Sequence, residues 1–541
     1  MFLTGSFRVT GFSGPDPEQE RDPPAKATKL TFPIHEPRTG QQEWTHESPP
    51  PKFQALFARI LRPTDISDKH FQALNITTSP PCSVEDMLPS HGPRSPYLLP
   101  LSDADTPAQT EDLNLDPATA RRRKDFNDRV AELRIDNDLA FRTISRTVAE
   151  GIKPPRIAHM RRFWESVENM SQFWDASLDQ YYETTETSAE EGEEEGKGAK
   201  RLRLGSETNK DFKLVVDGKE IVPFPNDIPA DPPQPRKRYK GRRIGAGTDM
   251  PDSYRSDTVR AFVEGTIWPF RTSLAPPRIM PIVQFGKLNL PVRQTAAVYQ
   301  LPNDRTKARQ GYLRGPILIL QARPELGFEK ENGEQDEEKA RLDLMREIGG
   351  LLHLAQERRR EAQEYVKPGE GQWWTTVPRW GGGPGGEVQN ELGNSDIVDL
   401  VEGVREASQE DEGKKTSGSR KSKRKEGNAI LWKELKAGKG NWDAKTEYAA
   451  IGREPESPYD EIFLVSSLNH HVSIVKAIVH NDYSDCLTSG NLPDPLPQDP
   501  EWCRPKVQRT VWYDLFDVEQ RLELFRALWG IMSYMTRFHE V

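Results

Sequence analysis

One stretch of the chain gathers side chains that could do chemistry: His470, His471, His480, Asp482 and Cys486. Imidazole and thiolate together suit zinc, and an imidazole beside a carboxylate can move protons. Spacing decides which of them can cooperate. His471 and His480 are nine residues apart, about two and a half helical turns, so a helix sends them to opposite sides. On a strand an odd separation also points them to opposite faces. They cannot share a metal unless a turn intervenes. His470 could pair only with a distant residue, and Asp482 with Cys486 fits one helical face at i, i+4. Satisfied or surface histidines are the preferred reading, so no metal and no cofactor is expected. Were the chain an enzyme, its site would draw on His470, His480, Asp482 and Tyr513.

Other catalytic patterns are missing. The nearest approach to a phosphate loop, Gly192 to Gly198, is one residue short, acidic inside and without the hydroxyl residue that holds magnesium. Gly241, Gly245 and Gly247 lack the spacing that brings backbone amides to a pyrophosphate. Neither a nucleophile elbow nor an H-E-x-x-H pair occurs.

Basic tracts are the most specific signals. Lys200, Arg201 and Arg203 resemble a short nuclear import signal. Arg236, Lys237, Arg238, Lys240, Arg242 and Arg243 form a denser cluster, and Lys421, Lys423, Arg424 and Lys425 end a third. An import receptor reads such segments in extended form, so the reading requires them to be accessible. The alternatives are a solvated linker with no partner and contact with nucleic acid, through release of phosphate counterions and stacking on Tyr239. The acidic run Ser188 to Gly196 competes for the same cations and weakens the latter. Trp373, Trp374 and Trp380, in a Gly/Pro-rich loop, either tuck into a neighbouring domain or form a docking surface.

Composition sets the frame for these signals. Of 541 residues, 45 are proline and 29% are charged, with a net charge of −9. The apolar share is about 40%, where globular domains run about 45–50%. Segments without apolar side chains cannot offset the roughly 1–2 kcal/mol per residue that ordering a backbone costs. Long disordered segments are therefore expected. Three scattered cysteines exclude a disulfide framework and fit a reducing compartment. The start of the chain lacks a basic and then apolar secretory pattern, and no apolar run of about 18 residues could span a membrane.

The pattern predicts α+β: a helical hairpin, a small central β element and C-terminal helices. Residues 1–115 read as a disordered arm, with one apolar island at Phe53–Leu61. Residues 116–182 form the hairpin, opened by Asp116-Pro117, with Asn137 interrupting its first stripe. A charged linker covers 183–210. The central region, 211–366, holds an Asp217-Gly218 hairpin, strands at 281–285, 295–301 and 316–323, and a helix over 336–366 whose Gly349-Gly350 implies a close neighbour. A Gly-rich, charged loop spans 367–427. A helical block, 428–541, completes the core. It includes a helix over 469–487, whose front half could instead be a strand, and a final helix started by Asp517 to Gln520.

The function these features favour is a non-enzymatic nuclear interaction or regulatory protein with protein partners and an import receptor. An enzyme or accessory factor with a site in the C-terminal block, a nucleic-acid binder using 236–243, and a cytoplasmic location are the alternatives.

Overall fold

A computed structural model describes residues 16–90, 95–101, 117–184, 215–216, 219–220, 236–361 except 331, 363, 442–443 and 445–538. The N-terminal part carries α1 (Phe53–Phe57), α2 (Asp68–Leu74), β1 (Thr77–Thr78), α3 (Val84–Met87), α4 (Pro117–Leu133), α5 (Asn137–Ser145), α6 (Arg161–Trp174) and β2 (Gln180–Thr184). A short hairpin, β3 (Val215–Val216) and β4 (Lys219–Glu220), flanks Asp217-Gly218, as its turn signal requires. The middle supplies β5 (Arg236–Lys240), α7 (Asp252–Ile267), β6 (Thr272–Ala275), β7 (Ile282–Phe285), β8 (Leu288–Pro291), β9 (Ala296–Gln300), α8 (Arg305–Arg309), β10 (Leu313–Arg323) and α9 (Glu337–Arg358). The C-terminal part adds β11 (Thr446–Tyr448), β12 (Tyr459–Leu468), β13 (His471–His480), α10 (Asn481–Ser489), β14 (Lys506–Arg509), β15 (Tyr513–Asp514) and α11 (Val518–Met535).

The architecture is α+β around one large sheet. Its strands lie in the order β1, β14, β13, β12, β10, β9, β6, with β11 beside β10 and β15 beside β13. At its centre β10 and β12 run parallel, with Leu318 opposite Phe463 and Arg323 opposite Leu468. All but one residue of β10 are buried, which explains its unbroken apolar run, since a strand covered on both faces need not alternate. The two faces are nevertheless distinct. Leu318, Leu320, Phe463, Val465, Val472 and Ile474 pack against α4, α5, α6, α7 and α11 in one core. Ile319, Ile462, Leu464, Val475 and Ala477 face the other, with Leu344, Ile348 and Leu351 of α9 and aromatics of the N-terminal arm. This is the period of two that a strand imposes.

The structure corrects several expectations. The arm before residue 115 is ordered through much of its length: Trp44, Phe53, Phe57 and Phe71 are buried, and β1 extends the sheet beside β14. Phe57 stacks on Phe285 with ring centroids 4.4 Å apart. These anchors are scattered singly and bury against distant parts of the chain, so they leave no periodic trace. The first hairpin helix is two helices, because Asp136 accepts hydrogen bonds from the amides of Asp138 and Leu139 and caps a new start. The second ends at Trp174, and Tyr181 lies on a strand. The C-terminal block is not mainly helical: it supplies the sheet's β12, β13 and β14. Of the 469–487 segment the front half is β13, and His480 rather than Asn469 caps the helix, which stops at Gly490 with φ 79°. No helix among the described residues is long and apolar enough to cross a membrane.

Gly350 marks the closest approach of α9 to the sheet. A Cβ there would lie 2.4 Å from Gln321 Nε2 and 3.1 Å from both Ile319 Cδ1 and Leu464 Cδ1. Alanine gains about 1 kcal/mol of helix propensity over glycine, but overpacking a dense core costs about 1–3 kcal/mol. Gly350→Ala is therefore expected to lower the urea midpoint; a raised midpoint would show that α9 can lift off without loss.

Candidate functional site

Arg323 ends β10 fully buried and meets the carboxylates of Asp343 and Glu347, one turn apart on α9. Its Nη2 lies 3.0 Å from Glu347 Oε1 and also donates to Ser466 of β12. Ser466 Oγ donates to the same Glu347 oxygen at 2.6 Å. From β14, Arg509 Nη2 reaches both oxygens of Glu347, at 2.9 and 3.1 Å. The Trp512 ring faces both guanidinium groups, 5.9 and 5.4 Å from their central carbons. Burial opposes the charge of Glu347, but Arg509 and Arg323 outweigh it and hold the carboxyl at about 2. Burial dominates at Asp343 and pushes it up to about 6 against the pull of Arg323.

His35, Asp343 and Glu347 offer three donor atoms within 4.8 Å of one another. That set does not fit a cation well. Two guanidinium groups already balance the two carboxylates, and a divalent ion would add uncompensated charge in a buried place. The group reads as a buried ion network.

Beside it, at the carboxyl ends of the parallel strands where ligands of such sheets bind, a cleft of about 330 Å³ opens. Arg255, Arg293, Arg323, Gln294 and Thr295 line it together with Asp252, Ser253 and Ser256 from the start of α7. Arg255 is held by Asn469 Oδ1 at 2.7 Å, by the Gly247 carbonyl at 3.2 Å and by Asp252. Glu325 is held by Arg346. Arg293 differs: no side-chain hydrogen bond or ion pair of it occurs among the described residues, and partial burial lowers its pKa, with Glu325 and Asp252 favouring its charge and Arg346 and Arg323 opposing it. Several buried polar atoms here also lack a partner among the described residues, including Gln294 Oε1, Gln321 Oε1, Arg323 Nε and Asp343 Oδ2.

The residues named from sequence fall in different places. His470 and Tyr513 sit at one end of β13, whose register sets Val472 opposite Tyr513. His480 and Asp482 sit at the other, ten residues along the strand or about 30 Å at 3.4 Å per residue. The four cannot act on one substrate, which overturns the single-site reading. His480 instead works as a cap, its Nδ1 accepting from the Asp482 amide at 3.1 Å. Cys486 is buried, and burial pushes its thiol up to about 12.

The 236–243 tract is not a free segment. Arg236, Lys237, Arg238 and Lys240 lie on β5, paired with β2. Arg238 lies 3.6 Å from Asp22 and Lys240 3.7 Å from Glu20. Arg243 is buried against Asp179 at 2.7 Å, Tyr181 at 2.6 Å and the Ala25 carbonyl at 2.9 Å. Arg242 pairs with Asp138 and covers the Phe141 ring. Tyr239 is fully buried and donates to Asp179 at 2.6 Å, so its ring cannot stack on a base. The other tracts, Lys200, Arg201 and Arg203 and Lys421, Lys423, Arg424 and Lys425, lie outside the described residues, as do Trp373, Trp374 and Trp380.

His35, Arg323, Asp343, Glu347 and Arg509 went unread in the sequence. Their one trace was charge within apolar patterns: an arginine closing the 316–323 run, and two acids four apart on a helix that is otherwise apolar on that side. Comparison with family models, curated proteins and solved structures gives no match.

Burial and the nearby Arg509 lower the His35 ring from 6.5 to about 3. The unfolded chain therefore takes this proton first, so the stability involved is present above pH 6.5 and is lost as pH falls towards 3. Between pH 7 and 5 the wild type should lose roughly 1–2 kcal/mol more than His35→Gln. Urea melts at the two values measure the difference, and equal losses would mean that His35 is solvated.

Proposed function

We propose that the chain is a non-enzymatic interaction protein of the nucleus, which receives an anionic group of a protein partner in the cleft beside Arg323. The observation that carries this reading is Arg293. It stands at the cleft with no acid bonded to it, while the neighbouring Arg255 and Arg323 are held in place by their own partners. A guanidinium group presents paired donors to carboxylate or phosphate. Ser253 at the start of α7 adds a hydroxyl, and the amino end of that helix favours negative charge. The import tracts at 200–203 and 421–425 supply the address in this reading. The cluster at 236–243 is no longer needed for it, because its arginines are engaged within the fold.

Inorganic phosphate is the simplest probe of the cleft. In full-length protein at constant ionic strength, phosphate at ten times its Kd should stabilise against urea by about 1.4 kcal/mol. Arg293→Glu should abolish that gain, whereas Lys287→Glu, on an exposed turn away from the cleft, should retain it. A phosphate effect that survives Arg293→Glu would remove the cleft from the proposal. For the address, changing Lys200, Arg201, Arg203, Lys421, Lys423, Arg424 and Lys425 together to alanine should move the tagged full chain from nucleus to cytoplasm. An unchanged distribution would count against import through these tracts.

A further inference from the structure

The turn between β12 and β13 assembles a second cluster that the proposed function does not use. Asn469 adopts φ 53° there, which tightens the chain reversal and sets His470 and His471 side by side with ring centroids 4.3 Å apart. Across the ladder, His471 pairs in register with Asp514 of β15, and the His470 carbonyl accepts from the Leu515 amide at 3.0 Å. His470 Nε2 lies 3.9 Å from one Asp514 oxygen and His471 Nε2 3.8 Å from the other. We propose that His470, His471 and Asp514 form a binding site for a divalent transition-metal ion, with zinc(II) as the best match.

Three features support this assignment. The first is geometry. All three donor atoms lie within 4.8 Å of one another. The separations of 3.8 and 3.9 Å are too long for hydrogen bonds. They are a few tenths of an ångström wider than the roughly 3.4 Å edge of a tetrahedron with zinc bonds near 2.0–2.1 Å. Small side-chain rotations close that difference while the ladder holds the backbone.

The second is the state of the imidazoles. Neither ring makes a hydrogen bond among the described residues, and both Nδ1 atoms are buried. His470 is nearly inaccessible. With each Nδ1 turned inward, Nε2 is the ring atom that faces Asp514, and no hydrogen bond among the described residues occupies it.

The third is charge. The acids of the His35 cluster are covered by guanidinium groups, but Asp514 has no lysine or arginine bonded to it among the described residues. Its Oδ1 accepts only the Phe516 amide, at 2.8 Å. Asp517 adds negative potential, as does Asp175, which lies 3.8 Å from Arg242, and the nearby Arg521 is directed to the carbonyls of Leu133 and Leu515 and to Asn137. Trp174, Phe516 and Phe32 pack their rings 4.8, 4.9 and 4.7 Å from the imidazoles and keep the surroundings apolar.

Two imidazoles and one carboxylate leave a fourth zinc position for water or a partner's donor atom. The Nδ1 atoms lack the carboxylate or carbonyl that usually orients a metal-bound histidine, an omission that costs about 10–100-fold in affinity. The site is therefore an exchangeable one rather than a permanently loaded structural one.

The test uses chelator-treated full-length protein titrated with zinc chloride by calorimetry, with cobalt(II) as a spectroscopic reporter. One equivalent of zinc and the visible absorption of tetrahedral cobalt are expected for the wild type. Asp514→Asn and His471→Gln should each weaken zinc binding at least tenfold, while His480→Gln, at the far end of β13, should bind as the wild type does. Absence of zinc uptake by the wild type overturns the site, whatever the variants do. So does uptake unchanged in both Asp514→Asn and His471→Gln. The wild-type cobalt spectrum decides independently of any variant's folding: an octahedral spectrum, or none, also overturns it.

Discussion

Removing a carboxylate from water costs several kcal/mol even after the protein relaxes around it. Asp343 and Glu347 are both buried completely, and what makes this tolerable is Arg323, with Arg509 and Ser466 completing the set. The network joins four elements through polar groups: β10, α9, β12 and β14. A second buried pair fixes the opposite end of the helix. Arg358 binds Asp460 of β12 through both nitrogens at 2.8 Å and also donates to the carbonyls of Pro316 and Ile451 at 3.0 Å. Between these two ends Gly350 presses onto Gln321. Apolar packing alone would let α9 slide along a sheet face that is largely aliphatic. Two ionic anchors with directional bonds allow one position only.

That constraint explains where the cleft lies. Arg323 turns inward to meet α9, and the carboxyl end of β10 that carries it lines the cleft together with the start of α7 and residues 293–295. Asn469 extends the same logic to the neighbouring turn. Its side chain accepts from Arg255 and donates to the Glu325 carbonyl at 2.9 Å. The residue that fixes the β12–β13 reversal thus also fixes one wall of the cleft, and it places His470 and His471 on the far side of the same turn.

Much of the fold was legible wherever the signal was local. The run 316–323 reads as a central strand because both its faces are covered, and the Asp517 cap and the paired glycines of α9 have direct structural counterparts. What failed was non-local. Trp44 and Phe53 have no periodic neighbours because each fills a space made by Tyr483 and Phe285, hundreds of residues away. The 471–480 segment carries apolar residues on both faces, a pattern that buried helices and buried strands share, and pairing with β12 decided it. For the site, His470 was visible as a residue type, but its partner Asp514 is 44 positions on and arrives only through β15.

Basic residues gave the least reliable local signal, for a reason rooted in the arginine side chain. A guanidinium group is always charged yet can be buried wherever its five donors find acceptors. Arg243 does so with an aspartate, a tyrosine and a carbonyl, and Arg242 lies over a phenylalanine ring. A run such as Arg236 to Arg243 can therefore be a free address or a strand with its loop, and its composition is the same in both cases. The acids that would distinguish them, Asp138, Asp175 and Asp179, lie 57 or more positions upstream of Arg236. The same accounting separates the two clusters of possible metal ligands. Where arginines cover the carboxylates, as at Asp343 and Glu347, the charge is already balanced. Where a carboxylate faces only neutral imidazoles, as at Asp514, a cation completes the arrangement.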